Sequence, residues 1–278
     1  MSVTPSQDPV AAAGYHAVTD EAGGGAARSW WDDHSQEYLA EHGPSLGAAD
    51  FVWGPEGLRE EDARLLGDLA GLRVLEVGAG AAQCSRWLAS RGVSVVATDV
   101  SGGMLVAGGR LDDATGIRTQ RVQADARALP FPDPSFDVVF TAFGVLPFVP
   151  DAHRVHGEVA RVLRPGGRWV FATTHPMRWV FPDDPGVGGL TASFSYFSRT
   201  PYVETAEDGT VLYVEYHRTL ADLVADVTGA GFVIDRFVEP EWPEGREDEW
   251  AGWGPVRGAM LPGTLIVVTH RPEVTRQA

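Results

Sequence analysis

The sequence predicts one α/β domain built on a mainly parallel sheet with helices on both faces. Strand and helix patterns alternate through the middle of the chain, and repeated strand–helix units join parallel strands by right-handed crossovers. The predicted strands at 73–77, 94–99, 137–142 and 168–174 are nearly continuous apolar runs. Such runs are typical of strands that are covered on both faces.

The N-terminal region predicts an arm followed by a helical cap. Residues 1–28 are rich in Ala, Gly, Ser and Pro, and this composition indicates a mobile arm. A helical pattern begins at Ser29, where the acids that follow suit a first helical turn. A second helix is predicted at 58–69. We therefore expect a single domain over 29–278, with residues 29–70 forming its cap.

The rest of the chain supplies the sheet and two insertions. Helices are predicted at 82–91, 101–112, 152–163 and 219–229, and further strands at 119–124, 232–238 and 264–270. Residues 176–217 are rich in aromatics, and Glu207-Asp208-Gly209-Thr210 predicts a hairpin turn within them. We expect this insertion to form a small antiparallel layer. With a second insertion at 239–262, it is expected to cover the site.

Composition excludes several classes of function. The 278 residues carry a net charge of −16, and all 22 basic residues are arginine. The acidic charge argues against nucleic acid or an anionic membrane as a partner, and the absence of lysine excludes a P-loop or a Schiff base. One cysteine, Cys84, excludes internal disulfides. No stretch predicts a signal peptide or a membrane span, so a cytoplasmic protein is expected.

The turn Gly78-Ala79-Gly80, which follows the first strand of the sheet, indicates a nucleotide-bearing cofactor. Glycine lets the backbone approach the ligand, and an acid about twenty residues further on can grip ribose hydroxyls. Asp99 stands at that distance. A dinucleotide site usually has a third glycine three positions after the second, and here Gln83 occupies that position. An NAD-dependent oxidoreductase is therefore disfavoured, and S-adenosylmethionine (SAM) is the remaining candidate cofactor for this turn.

Five motifs, in order, resemble class I SAM-dependent methyltransferases of the methyltransferase 11 group. They are Val74-Leu75-Glu76-Val77-Gly78-Ala79-Gly80, Asp99, Gln123-Ala124-Asp125-Ala126, Ser135-Phe136-Asp137-Val138-Val139 and the segment from Glu158 to Gly167. The segments that flank them, 30–43 and 51–60 among them, resemble an actinobacterial small-molecule branch of that group. The resemblance implies a Rossmann-like sheet of seven strands with an antiparallel last strand.

The resemblance also implies which residues bind the cofactor. The glycine turn and Glu76 would hold the methionine part, Asp99 the ribose, and Asp125 the adenine amino group. The full set is Tyr38, Glu76, Gly78, Ala79, Gly80, Asp99, Val100, Met104, Asp125, Ala126, Ala142 and Phe143. S-adenosylhomocysteine would be the product, and no metal is expected.

A catalytic base is the least determined part of the site. His175 follows the strand at 168–174, at the edge where sites form in open α/β sheets, and is our candidate base. The expected reaction is methylation of a small molecule, apolar or aromatic, at oxygen or nitrogen. A SAM-binding scaffold or sensor without transfer activity is the alternative. The sequence leaves open whether the protein is a monomer or a homodimer.

Overall fold

The computed structural model describes residues 10–273, which form two sheets and eight α-helices. In chain order the elements are β1 (Ala12–Tyr15), α1 (Asp20–Asp33), α2 (Ser35–Leu46), α3 (Glu60–Ala63), β2 (Arg73–Val77), α4 (Gln83–Ser90), β3 (Ser94–Asp99), α5 (Gly102–Thr115), β4 (Gln120–Gln123), β5 (Phe136–Thr141), α6 (Ala152–Val162), β6 (Leu163–Thr174), β7 (Tyr202–Thr205), β8 (Val211–Glu215), α7 (Leu220–Gly229), β9 (Val233–Val238), α8 (Pro255–Gly258) and β10 (Thr264–His270).

The larger sheet has seven strands in the order β4-β3-β2-β5-β6-β10-β9. Strands β2 to β6 pair in parallel, whereas β10 runs antiparallel to both of its neighbours, β6 and β9. This order confirms the predicted Rossmann-like fold with an antiparallel last strand. The strand order reverses direction between β2 and β5, which is where sheets of this kind form their binding crevice.

Helices cover both faces of the larger sheet, as the apolar strands predict. Successive side chains of a strand point to opposite faces, so alternate residues of β6 belong to different cores. Trp169 and Phe171 pack in a cluster that includes residues of α6 and α7. Val170 and Ala172 pack on the other face, in a cluster that includes residues of α4.

The N-terminal segment is folded, which corrects the prediction of a mobile arm over its described part, residues 10–28. Strand β1 pairs antiparallel with β7, and α1 begins at Asp20 rather than at Ser29. Thr19 caps α1, because its hydroxyl oxygen accepts a hydrogen bond from the backbone N–H of Ala22 over 3.3 Å. Residues 1–9 of the predicted arm lie outside the described residues.

The helix predicted at 58–69 is wrong in length, because α3 makes a single turn. The chain leaves the helix at Arg64, which adopts a left-handed conformation with φ 49°. The buried carboxylate of Glu60 then accepts hydrogen bonds from the backbone N–H groups of Leu65 and Leu66 over 2.9 and 2.8 Å. A side chain therefore satisfies the donors that a longer helix would have paired.

The first insertion forms the predicted antiparallel layer. Strands β7 and β8 make a hairpin across the predicted turn, where Gly209 has φ 85°, and β1 completes a three-stranded sheet. Val203 and Val214 of this sheet pack with Ala26 of α1. The small sheet therefore supports α1 from its outer side. Within residues 10–273, none of the helices combines the length and the apolar character needed to cross a membrane.

Candidate functional site

A cavity lies at the carboxyl ends of β2, β3 and β5, with α1 and α2 along its other side. The structure brings to this one cavity all the residues that were predicted to bind the cofactor: Tyr38, Glu76, Gly78, Ala79, Gly80, Asp99, Val100, Met104, Asp125, Ala126, Ala142 and Phe143. The sequence motifs are far apart in the chain, and the strand order of the sheet places them side by side.

The glycine turn has the backbone conformation that glycine favours. Gly78 and Gly80 have φ 67° and 53°, in the left-handed region. A Cβ atom at Gly78 would lie 2.2 Å from Cγ2 of Val145, so a larger residue would displace the loop that follows β5. The N–H of Ala79 donates to the carbonyl of Thr98 over 2.9 Å and ties the turn to β3. The turn is therefore held in place from two sides.

Asp99, at the end of β3, is fixed by two backbone donors. Its Oδ2 accepts from the N–H of Gly80 over 2.7 Å, and its Oδ1 accepts from the N–H of Ser101 over 2.8 Å. Burial raises the pKa of Asp99, and these two hydrogen bonds offset part of that rise. Each carboxylate oxygen can accept a further hydrogen bond, which is what binding a pair of ribose hydroxyls requires.

Glu76 is a buried acid at the end of β2. Its Oε2 accepts from the backbone N–H of Ser85 over 3.0 Å and also from the Ser85 hydroxyl. Burial raises the pKa of Glu76 to about 7, although both hydrogen bonds from Ser85 lower it. A nearby cation would stabilise the charged form of a carboxyl group with this pKa, and the amino group of a bound amino acid would supply such a cation.

Asp125 has an ion-pair partner that the sequence did not reveal. Its carboxylate faces the guanidinium of Arg127, with 2.7 Å between Oδ2 and the nearest nitrogen, and Arg127 also lines the cavity. Arg127 reaches Asp151 as well, over 3.4 Å. Burial raises the pKa of Asp125, but the bonds from Arg127 outweigh that and lower it. An adenine amino group at Asp125 would share the carboxylate with Arg127.

An aromatic wall, defined here as Trp31, Tyr38, Phe143 and Phe148, lines the side of the cavity towards α1 and α2. Trp31 makes edge-to-face contacts with Tyr38 and Phe148, with ring centroids 5.2 and 5.5 Å apart. Phe143 has φ 52°, an uncommon value for a residue other than glycine and one that is found at functional loops. Tyr38 was predicted at the cofactor site, whereas the helical spacing of Trp31 had indicated packing alone.

The structure does not support His175 as the base. His175 is absent from the cavity lining, and both of its ring nitrogens are engaged. Nδ1 accepts from the N–H of Met177 over 3.1 Å, so Nε2 carries the proton and donates to Glu239 over 2.9 Å. Burial lowers the pKa of His175. The histidine is at the predicted edge of the sheet, but it caps the turn that follows β6.

The two insertions support the cap rather than enclose the cavity directly. Within residues 10–273, the residues lining the cavity include none from 176–217 or 239–262. The first insertion packs on the outer side of α1 through the small sheet. In the second, Trp250 stacks on His42, which contacts Tyr38 of the aromatic wall. In the same residues, no group of His, Cys, Asp and Glu side chains is arranged to hold a metal ion.

Comparisons with known proteins identify the family. The Methyltransferase domain family matches residues 75–171, the part that contains the cavity turn and its strands. The chain is 43% identical over 218 residues to a demethylmenaquinone methyltransferase of a Mycobacterium species, covering 76% of this chain and 80% of that protein. The chain belongs to the SAM-dependent methyltransferases.

Another relative and two solved structures match the chain at lower identity. An uncharacterized protein of Mycobacterium tuberculosis is 36% identical over 133 residues, and the chain spans only 42% of the length of that relative. Among solved structures, a SAM-dependent methyltransferase from Mesorhizobium loti has a TM-score of 0.57 at 25% identity, covering 78% of this methyltransferase and 100% of that chain. The [4+2]-cyclase SpnF, at 19% identity and a TM-score of 0.54, shares the fold, covering 87% of this chain and 96% of its own.

Proposed function

We propose that this protein binds SAM in the cavity and transfers its methyl group to a small-molecule acceptor. The observation that carries the proposal is the placement of Asp99, whose carboxylate is held by Gly80 and Ser101 at the end of β3. The glycine turn and Asp125 line the same cavity and would hold the methionine part and the adenine. Membership of the methyltransferase family supports the same cofactor.

The residues of the chain would contribute alignment and the exclusion of water. SAM supplies an activated methyl group on a sulfonium, and the transfer is an in-line displacement. Glu76 would bind the amino group, Asp99 the ribose hydroxyls, and Val100 with Met104 the adenine faces. Ala142 and Phe143, just past β5, would lie beside the reacting centre. Holding two reactants in line accounts for a large part of the rate enhancement in such reactions.

We infer that the acceptor is planar or apolar and is methylated at oxygen or nitrogen. The aromatic wall offers such a molecule edges and faces to pack against. With His175 engaged elsewhere, and with no histidine among the cavity-lining residues of the described chain, the acceptor itself would supply the reactive lone pair. An ionised hydroxyl or a neutral amine meets this requirement without a general base.

A second candidate acceptor comes from the relatives. A relative that is 43% identical, over 76% of this chain and 80% of its own, is named demethylmenaquinone methyltransferase, so demethylmenaquinone belongs in any panel of acceptors. The fold alone does not decide between transfer and binding, because the structural neighbours include a cyclase. A SAM-binding scaffold or sensor is therefore the outcome to exclude by experiment.

Binding and transfer can be tested on the full chain. Calorimetry is expected to show binding of SAM and S-adenosylhomocysteine but not of NADH. Asp99→Ala is expected to weaken SAM binding about a hundredfold, since two hydrogen bonds to a charged group are lost. Asp113→Ala, an exposed acid on α5, is the matched control and should bind as the wild type does. Binding of NADH without SAM would contradict the proposed cofactor.

Transfer itself calls for SAM labelled in the methyl group and a panel of phenols, amines and demethylmenaquinone. Label in one acceptor that depends on Asp99 would support methyl transfer. A SAM-binding scaffold would be favoured if SAM binds but no acceptor in the panel is labelled, and if a structure of the complex shows side chains filling the rest of the cavity.

A further inference from the structure

Asp32 links the N-terminal helix to the candidate cofactor site. It lies in the last turn of α1, and its Oδ1 accepts two hydrogen bonds from the start of α5. One comes from the Ser101 hydroxyl over 2.7 Å and the other from the N–H of Gly103 over 2.8 Å. Asp32 therefore satisfies donors at the N-terminus of a different helix, where a carboxylate also complements the helix dipole.

The contact between the two helices is close because Gly103 has no side chain. A Cβ atom at Gly103 would lie 2.6 Å from the backbone carbonyl oxygen of Asp32. The end of α1 and the beginning of α5 thus touch through their backbones. A larger residue at Gly103 would separate them and lengthen both hydrogen bonds of Asp32.

Ser101 extends this connection to Asp99. The N–H of Ser101 donates to Oδ1 of Asp99 over 2.8 Å, and its hydroxyl donates to Asp32. The same hydroxyl oxygen accepts from the N–H of Met104 over 3.0 Å, and Ser101 is fully buried. The backbone N–H of Ser101 therefore orients the carboxylate that faces the cavity, and its side chain holds α1 against α5.

Helix α1 depends on such contacts for its position. It contains three consecutive glycines, Gly23, Gly24 and Gly25, each of which weakens a helix by roughly 1 kcal/mol relative to alanine. At its other end, Gly24 lies against the guanidinium of Arg127. Between these two anchors, Ala27 and Trp31 line the cavity. A shift of α1 would therefore open the cavity along its length.

We propose that Asp32 is a positioning residue. It holds α1 over the cavity and, through Ser101, sets the orientation of Asp99. The part of this inference that concerns ligand affinity rests on the proposed SAM site. In this arrangement, release of α1 removes the partner of the Ser101 hydroxyl, and the support of Asp99 weakens together with the cover of the cavity.

The test compares Asp32→Ala with Asp32→Asn and with Asp33→Ala, an exposed acid at the next position of the same helix. In the ligand-free protein, hydrogen exchange of the α1 amides should accelerate at least about tenfold in Asp32→Ala, since two hydrogen bonds to a charged acceptor are lost. Asp32→Asn retains an accepting oxygen and should remain within about threefold of the wild type. Asp33→Ala should exchange as the wild type does.

Affinity for S-adenosylhomocysteine, measured by calorimetry, should follow the same order. Asp32→Ala is expected to weaken the affinity about tenfold or more, and Asp32→Asn is expected to retain most of it. In the double variant Ser101→Ala/Asp32→Ala, the loss of binding free energy should be less than the sum of the losses in the two single variants. Unchanged hydrogen exchange of α1 in Asp32→Ala would contradict the proposal that Asp32 holds α1, and so would weakened binding without faster exchange. If the wild type does not bind S-adenosylhomocysteine, the proposed function fails. The hydrogen-exchange measurement still decides whether Asp32 holds α1.

Discussion

The backbone N–H of Ser85 donates to Oε2 of Glu76 over 3.0 Å, and the Ser85 hydroxyl donates to the same oxygen. Helix α4 thus orients the carboxylate of Glu76, a residue at the end of β2 that is only 2% exposed. The pKa of about 7 means that this carboxyl group changes charge near neutral pH. A bound cation would favour the charged form, so ligand binding and protonation of Glu76 should be coupled.

Stability should therefore depend on Glu76 with a defined sign. The folded state retains the proton up to a pKa of about 7, whereas the unfolded chain loses it near its ordinary lower value. Stability from this group is present at low pH and decreases as pH rises towards 7. Glu76→Gln should remove that loss. The unfolding free energy of Glu76→Gln minus that of the wild type should therefore be larger at pH 8 than at pH 5, by roughly 2–3 kcal/mol.

Urea unfolding at the two pH values measures this difference, and Glu61→Gln, an exposed acid in α3, is the control. The same Glu76→Gln protein should bind SAM more weakly than the wild type at pH 8, because the charge that faces the amino group is lost. Equal pH dependence in Glu76→Gln and the wild type would show that Glu76 does not titrate in this range.

His175 should be required for the turn after β6 and not for chemistry. His175→Ala removes the acceptor for the N–H of Met177 and the donor to Glu239, and we expect a loss of about 1–2 kcal/mol in unfolding free energy. His175→Asn keeps an oxygen that can cap the turn and should recover part of it. Once an acceptor is known, turnover of both variants should stay within about threefold of the wild type. Loss of turnover with SAM affinity intact would return His175 to the role of base.

Two glycines of α1 should respond in opposite ways to alanine. A Cβ at Gly23 would lie 2.1 Å from the hydroxyl oxygen of Tyr216, whereas nothing lies within 4 Å of a Cβ at Gly25. Gly25→Ala should stabilise the protein by about 0.5–1 kcal/mol through helix propensity. Gly23→Ala gains the same propensity but strains the contact, so the two variants should differ by about 1–3 kcal/mol in thermal or urea unfolding.

Tyr216→Phe offers a direct check of that contact. The Tyr216 hydroxyl is buried and has no hydrogen-bond partner within the described residues, so its removal should cost little alone. In the Gly23→Ala background it should restore most of the lost stability. Additive effects of the two changes would mean that the hydroxyl does not press on α1.

The same glycines explain why residues 10–28 were predicted incorrectly. Intrinsic propensity argues against a helix through Gly23-Gly24-Gly25, and it was this composition that indicated a mobile arm. In the structure, a Cβ atom would lie 2.1 Å from the Tyr216 hydroxyl at Gly23 and 3.2 Å from the Arg127 guanidinium at Gly24, so both glycines leave room for these side chains. Those partners come from distant parts of the chain, and local sequence patterns do not contain them.

The strands were predictable because their signals are local, and the family resemblance indicated residues that the structure places around one cavity. The runs 94–99 and 264–270 are strands at the predicted bounds, since continuous apolar residues bounded by turns define them. The carboxyl ends of parallel strands meet at one edge, so residues after β2, β3 and β5 were expected together. That rule placed His175 at the correct edge but could not show that its ring faces Glu239 in the second insertion.

Arg86 should be a determinant of stability that no motif revealed. It is fully buried in α4, and its guanidinium donates to Asp112, to the carbonyl oxygens of Ala81 and Gly108, and to Ala48 in the loop after α2. The glycine turn, α5 and the cap thus meet at one side chain. Arg86→Leu leaves the buried Asp112 with less compensation and should cost about 3–5 kcal/mol.

Arg110→Leu, an exposed arginine on α5, is the matched control and should change stability by less than about 0.5 kcal/mol. Urea unfolding of both variants measures the difference. Because Asp112 also accepts from Arg121 and Thr119, its burial alone does not decide the outcome. If Arg86→Leu lost no more unfolding free energy than Arg110→Leu, then Arg121, Thr119 and the packing of leucine would be sufficient to stabilise Asp112. Arg86 would then not be needed to hold the glycine turn against α5.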